Sequence, residues 1–330
     1  MRCLITGGTG YFGRALGRRL LEDGSERIVL YSRSESRQAG LAEQFVQYGA
    51  ARFFLGDVRD RERLEEAMWG CDVVVHAAAL KRVDAVAYDP GEVRKTNIIG
   101  SACVVAAAIA VGVKRVLMIS SDKAVSPQNA YGVSKAQMEH EAIAMNAIAY
   151  PRGTRISCTR WGNVLGSTGS IVGIWRGQLR RGQSLTLTNP AMTRFIVTLP
   201  QAIAFCLAAL ADMEGGEIFV PQLPATRIDA LAQAVSIQFL KHECNDIQTV
   251  ITGLRPGGEK VHEALLSSEE AQRSFQVDGR IIILPSHHSW RGTWEIPGER
   301  VAGPYTSDAP VRWLSLDEMV TMLEEVPDGH

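Results

Sequence analysis

Nothing in this chain pairs its cysteines: Cys3, Cys71, Cys103, Cys158, Cys206 and Cys244 stand singly, with no C-x-x-C spacing. That excludes a zinc ribbon or a disulfide framework and reads as reduced thiols in a cytosolic core. A charge bias is missing too, since 35 basic residues against 36 acidic leave a net charge of -1. Charge alone therefore recommends no nucleic-acid partner and no membrane surface. The longest apolar run, Ala102 to Val113, is about half a membrane span and runs into Lys114 and Arg115. The opening MRCLITGGTG goes straight into a strand and a turn, so no signal peptide is expected. Internal repeats are absent, and no histidine has a partner at metal-ligand spacing, so no metal is expected. These absences leave a soluble, cytoplasmic protein whose 330 residues suffice for one large domain and a smaller lobe.

What is present is alternation. Apolar, β-branched runs at 2–6, 27–31, 51–55, 73–77, 116–120 and 155–160 read as strands buried on both faces. Between them, 11–22, 61–68, 97–111 and 131–149 read as helices. That order predicts an α/β fold, a doubly wound parallel sheet with helices on both faces. Beyond 162 the pattern loosens: TLPQAIAFCLAALADM reads as a helix, GGEIFVP as a strand and LSLDEMVTMLEEV as a last helix, with LRPGGEK and LPSHHSW as loops. The expected organisation is a dinucleotide-binding domain over 1–162, with a segment near 196–222 returning to its sheet. Residues 163–195 and 223–330 would form a smaller C-terminal substrate-binding lobe.

Directly after the first strand, TGGTGYFG sets Gly7, Gly10 and Gly13 three residues apart and opens a helix at Tyr11. A dinucleotide site needs glycines there so that the backbone turns tightly and approaches the pyrophosphate on the helix N-terminus. The second strand ends in Ser32 and Arg33, with Arg37 a turn later, where NAD-binding chains carry an acid. Serine and arginine suit a 2′-phosphate, so NADP is expected rather than NAD. Asp57 follows the third strand, near an adenine edge, and the small Ala77, Ala78 and Ala79 follow the fourth. His76 reads as a packed histidine.

Tyr131 and Lys135 fall at i and i+4 and share a helix face. A nearby ammonium lowers a tyrosine's pKa from about 10, so Tyr131 is expected to take the proton of a sugar hydroxyl while hydride leaves the same carbon. Ser121, at the strand end, is placed to bind that hydroxyl. Between them stand Asp122 and Lys123, an acid and a base that simple alcohol oxidation does not need.

With these motifs the chain resembles the soluble inverting UDP-N-acetylglucosamine 4,6-dehydratases of flagellin-sugar and capsule biosynthesis, members of the extended short-chain dehydrogenases/reductases. The likeness runs in order through ITGGTGYFG, YSRSE, HAAALKRV, KTNIIGS, SSDKAVSPQNAYGVSK, RWGNVLGSTGS, NPAMTRF, GGEIFVP, LRPGGEKVHE and VRWLSLDEM. It implies a Rossmann-type fold, a UDP-sugar substrate and a homo-oligomer, dimer or hexamer. It also implies the chemistry: oxidation at C4 acidifies C5–H, Lys123 removes that proton, Asp122 protonates the leaving C6 hydroxyl, and hydride returns to C6. In the family the same lysine is associated with reprotonating C5 from the opposite face, giving the L-arabino 4-keto sugar. Retaining relatives carry Met where this chain has Tyr131. For Lys123 to act as a base its pKa must fall from about 10.4, by burial or the charge of Lys81 or Lys135.

The resemblance further implies cofactor contacts from Thr9, Tyr11, Phe12, Val58, Lys81, Asn97 and Ser120. Substrate contacts are implied from Lys81, Arg160, Asn163, Val164, Gly169, Ser170, Thr188, Arg194, Arg255 and Glu259. Trp161, Arg82, Asp84, Gln222 and an added glycine in RPGGEK depart from the family pattern. The alternatives are a C5-retaining dehydratase, a UDP-sugar 4-epimerase or reductase, and a non-catalytic dinucleotide sensor.

Overall fold

The computed structural model describes residues 1–327 except 84–86, 242–247, 255–257, 288 and 293. Its first strands are β1 (Arg2–Thr6), β2 (Arg27–Ser32), β3 (Ala51–Leu55), β4 (Val73–His76), β5 (Arg115–Ile119) and β6 (Arg155–Thr159). There follow β7 (Asn163–Val164), β8 (Leu185–Leu187), β9 (Thr193–Val197), β10 (Ile218–Pro221), β11 (Ala225–Arg227) and β12 (Thr249–Ile251). The last are β13 (Ala264–Leu266), β14 (Ser274–Val277), β15 (Arg280–Ile283), β16 (Glu299–Arg300) and β17 (Tyr305–Thr306). Among the described residues, ten strands make one sheet in the order β16-β14-β15-β10-β6-β5-β4-β1-β2-β3.

The sheet is parallel from β10 to β3. Its central strands read as unbroken apolar runs because both faces are covered: Leu4, Ile5, Val74, Val75, Val116 and Leu117 have no exposed surface. Each such side chain contributes roughly 1.5–3 kcal/mol by burial. The strand order reverses between β1 and β4, which opens a crevice at their C-terminal ends, the place where doubly wound sheets bind ligands.

A second core lies outside this sheet. Trp175, Leu185, Leu187, Ile196, Leu231, Val235 and Leu323 gather there, on the strands β8 and β9 and the helices Ile171–Arg180, Ile228–Leu240 and Leu316–Glu324. Local chemistry starts the last of these helices, where Ser315 and Glu318 form a capping box. The helical stretch Pro90–Ala110 is long and apolar enough to cross a membrane by composition, and it is mostly buried inside the fold.

β10 lies parallel beside β6. The strands β14, β15 and β16, expected in the smaller lobe, lie in the main sheet, because β14 and β15 form a hairpin that adds antiparallel to β10. The signal was present as Asp278-Gly279 between apolar runs. Both residues have positive φ, 47° and 74°, as a type I′ hairpin turn requires.

Candidate active site

The glycine loop after β1 is built by close approach. Gly7 has φ +67°, and a Cβ on it would stand 3.0 Å from the backbone of Ala78. A Cβ on Gly13 would meet the Gly7 carbonyl at 2.4 Å. The loop therefore lies against the Ala77–Ala79 segment, which explains the small residues in both. No side chain caps the helix Tyr11–Glu22 at Gly10, so Thr9 and Gly10 lead into a bare helix N-terminus suited to a pyrophosphate. Tyr11 and Phe12 spend their side chains on the protein: Tyr11 donates to the Leu165 carbonyl at 3.2 Å, and the Phe12 ring packs 5.3 Å from Trp161. Their contribution to a cofactor reduces to backbone.

At the tip of β2, the Ser32 hydroxyl accepts from Gln38 at 3.0 Å. Arg33 and Arg37 are exposed there, Arg33 lying 3.5 Å from Asp57. Burial pushes the Asp57 carboxyl up, but hydrogen bonds from Arg59 and the charges of Arg59 and Arg33 outweigh it and hold it below its ordinary value. Asp57 is thus an ionised anchor for two arginines. Val58 packs under Gly100, where a Cβ would sit 2.8 Å from its methyl. His76 is fully buried between Thr6 (2.7 Å) and Ser101 (2.9 Å), and burial depresses its pKa to about 3, so it is a neutral packed histidine.

Asn97 departs from the expected cofactor role. It sits in a π-helical turn, Arg94–Ile99, and both ends of its amide are taken: Oδ1 accepts from Leu80 N (2.8 Å), while Nδ2 donates to Leu80 O (2.9 Å) and Ser134 (3.0 Å). It pins the loop after β4 to the helix that carries Tyr131. Ser120 differs, because its buried hydroxyl has no partner. That orphan, the glycine cradle and the two exposed arginines fit a nicotinamide dinucleotide.

β5 ends in a single 3-10 turn, Asp122–Ala124, whose Ser121 cap accepts from Lys123 N. Asp122 is fully buried; its Oδ1 accepts from Ser121 (2.7 Å) and Lys123 Nζ (3.0 Å), while Oδ2 has no partner. Burial raises its pKa, with the negative charge of Glu263 adding and Lys123 opposing. The Lys123 ammonium also lies 3.2 Å from Glu263 Oε1. Burial lowers its pKa, but the two carboxylates overcome this and raise it above the ordinary lysine value. The expectation of a lowered Lys123 is therefore overturned, first by the neighbouring Asp122 and then by the carboxylate of Glu263, which sequence reading missed. Lys81 shifts down: its side chain is accessible, yet protein packed round the ammonium and the charge of Lys123 both lower it.

The helix Ala130–Ala144 is capped by Asn129, whose side chain accepts from Gly132 N at 2.9 Å. Gly132 matters for a second reason: a Cβ there would stand 2.3 Å from the Lys123 carbonyl. The helix thus packs directly on the Asp122–Lys123 turn. Tyr131 is buried, and burial raises it to about 12 despite the charge of Lys123 and a hydrogen bond from Ser121. Lys135 donates a hydrogen bond to the Ile119 carbonyl at 2.7 Å and is lowered by burial to about 8. The expected lowering of Tyr131 by Lys135 is absent, since burial dominates and the acting ammonium is Lys123.

At the nucleotide end, Arg160 requires correction. It is 3% exposed and bidentate to Glu139 (2.8 and 2.6 Å) and to Glu270 (3.0 and 2.7 Å), so no donor is left for a diphosphate. Arg194 pairs with Glu259 at 3.1 Å, which brings those two together, and its charge reaches Lys123 and Glu263. Asn163 and Ser170 keep buried side-chain oxygens without partners, beside Val164 in β7 and Gly169 at φ +76°. Thr188 donates to Met192 Sδ at 3.2 Å. Arg255 lies outside the described residues.

Residues 3–285 match the family model described as polysaccharide biosynthesis protein. The chain belongs to that family. It is 40% identical to the inverting UDP-N-acetylglucosamine 4,6-dehydratase of Campylobacter jejuni subsp. jejuni serotype O:23/36, over 97% of this chain and 96% of that one. It is also 40% identical to a UDP-glucose 4-epimerase of Rickettsia conorii, over 82% of this chain and 79% of that one. Among solved structures, Pen from Bacillus thuringiensis superposes with a TM-score of 0.89 at 32% identity, covering 98% and 96% of the two chains. DesIV of Streptomyces venezuelae, a dTDP-glucose 4,6-dehydratase solved with NAD, shares the fold with a TM-score of 0.70 at 23% identity, covering 78% and 86%.

Proposed function

We propose that this polysaccharide-biosynthesis protein is a sugar-nucleotide 4,6-dehydratase that acts on UDP-N-acetylglucosamine and inverts C5. The observation that carries the reading is the buried Asp122, its second carboxyl oxygen unpartnered, in one cluster with Lys123, Ser121 and Tyr131. A 4-epimerase leaves the C6–O bond intact and has no use for a buried acid there. A bound nicotinamide dinucleotide supplies the oxidant that removes the C4 hydrogen and restores it at C6.

The chain's own residues move the protons. Tyr131 accepts the proton of the C4 hydroxyl, steered by Ser121. Asp122, its pKa raised by burial, gives its proton to the departing C6 oxygen. Inversion needs two groups at C5, one removing a proton and one returning it, and groups whose environments drive their pKa values apart divide such labour. Lys123, held as ammonium, is the donor. Lys81, which makes no hydrogen bond or ion pair among the described residues and is shifted toward its neutral form, is the base.

For the cofactor we favour NADP, supported by exposed Arg33 and Arg37 and by the absence of an acid at the tip of β2; two arginines there can hold a 2′-phosphate. Arg33→Glu should shift the preference toward NAD, read as the ratio of reconstitution by the two dinucleotides. Purified protein given UDP-N-acetylglucosamine should accumulate a 4-keto-6-deoxy sugar nucleotide without consuming reduced cofactor. Formation of UDP-N-acetylgalactosamine, or stoichiometric oxidation of NADPH, would show an epimerase or a reductase instead.

A further inference from the structure

One buried carboxylate beside the acid and the ammonium belongs to neither: Glu263, which is 2% exposed. The tail of the chain delivers it. Its backbone N donates to Ser307 Oγ at 2.8 Å and its carbonyl accepts from Ser307 N at 2.8 Å, just before β13. One carboxyl oxygen lies 3.2 Å from Lys123 Nζ and the other 3.3 Å from Lys260 Nζ. Lys260 also donates to the Asp122 and Val125 carbonyls, tying the tail to the turn after β5.

The Lys123 ammonium therefore sits between two carboxyls, 3.0 Å from Asp122 and 3.2 Å from Glu263. Two buried carboxyls that share one cation do not both ionise readily, and the proton goes to the one with fewer cations. Glu263 faces Lys123, Lys260 and Arg194, and these overcome its burial and lower its pKa. Among the described residues, the Asp122 carboxyl has Lys123 as its one cation at hydrogen-bond range, beside the neutral Ser121 hydroxyl, with Glu263 opposing and the phenol of Tyr131 close by. Lys81 stands near enough for the charge of Lys123 to lower it.

We propose that Glu263 is a positioning residue of the dehydration step: by taking the charge of Lys123 it leaves Asp122 free to carry the proton that the C6 hydroxyl needs. In that step the Asp122 O–H proton moves to the C6 oxygen, and the C6–O bond breaks with its electron pair on the departing water. The C5–H pair becomes the C5–C6 double bond, and the C5 proton passes to Lys81. Glu263 forms and breaks no bond. The inference rests on the dehydratase reading, which wild-type turnover tests first and separately.

The experiment compares wild type, Glu263→Gln and Glu263→Asp in the full chain. The substrates are UDP-N-acetylglucosamine and its 6-deoxy-6-fluoro analogue, whose fluoride departs with little need of a proton. General acid catalysis contributes about 100-fold or more. Glu263→Gln should lose on the order of 100-fold in kcat on the hydroxyl substrate and keep most of its fluoride release. Activity needs Asp122 protonated and is lost as pH rises through its pKa. Removing Glu263 lowers that pKa, so the alkaline limb of kcat should move to lower pH. Glu263→Asp, which keeps the charge beside Lys260 and Arg194, should show the same selectivity with a smaller loss, and is decisive should the glutamine variant not fold. Equal losses on both substrates, or an alkaline limb that stays in place, would overturn the proposal.

Discussion

Arg160 shows how far burial and pairing decide what a residue can do. An arginine at this point of a sugar-nucleotide site invites a phosphate, yet its guanidinium is closed between Glu139 and Glu270. Removing one partner of a buried ion pair typically costs about 3–5 kcal/mol. Arg160→Met should therefore lower stability to urea by about that amount, while KM for the nucleotide sugar, measured where the variant stays folded, should change little. The pH dependence follows. Burial raises Glu270, but Arg160 outweighs it and holds its folded pKa below the ordinary value. That contribution is complete above the unfolded glutamate value of about 4.3 and fades as pH falls through the lower folded value. Acid titration of urea midpoints should show the decline in wild type and a shallower one in Arg160→Met.

At the scale of elements, the site depends on one contact: the helix bearing Tyr131 and Lys135 lying directly on the turn bearing Asp122 and Lys123. Gly132 makes it possible, since a Cβ there would overlap the Lys123 carbonyl at 2.3 Å. Alanine favours helices over glycine by about 1 kcal/mol, so Gly132→Ala would stabilise a free-standing helix. In this fold it should instead push helix and turn apart, lowering kcat at least tenfold while far-UV circular dichroism is kept. This contact was half legible in the sequence. The spacing of Tyr131 and Lys135 and the end of β5 could be read, because both follow from apolar periodicity; the glycine's role needed the packed pair. The hairpin β14–β15 was legible in its Asp278-Gly279 turn and went unread among the irregular segments of the tail.

Across the whole molecule, the parallel sheet and its crevice followed from alternating apolar runs, since strands buried on both faces announce themselves in composition. The acid/base cluster did not, because its charge state is set by groups far apart in sequence. Asp122 and Lys123 leave one short turn, but Glu263 and Lys260 arrive from the tail, and Arg194 from β9. No local pattern marks a glutamate as bound for the interior. The neighbouring Asp122 and, from the tail, Glu263 together reverse the expected shift of Lys123, and the basic role is therefore proposed for Lys81. Lys81→Met should then retain oxidation at C4, seen as reduced cofactor absorbance on adding substrate, while losing exchange at C5.

The central claim is that the protein oxidises C4 in order to exchange the C5 proton and expel the C6 hydroxyl, and NMR of turnover in deuterated water tests it most directly. The account predicts a UDP-linked 4-keto-6-deoxy sugar with one deuterium at C5 and the L-arabino configuration. A product that keeps the D configuration would contradict the inversion, and one that keeps its C6 hydroxyl, or carries no deuterium at C5, would contradict the dehydration itself.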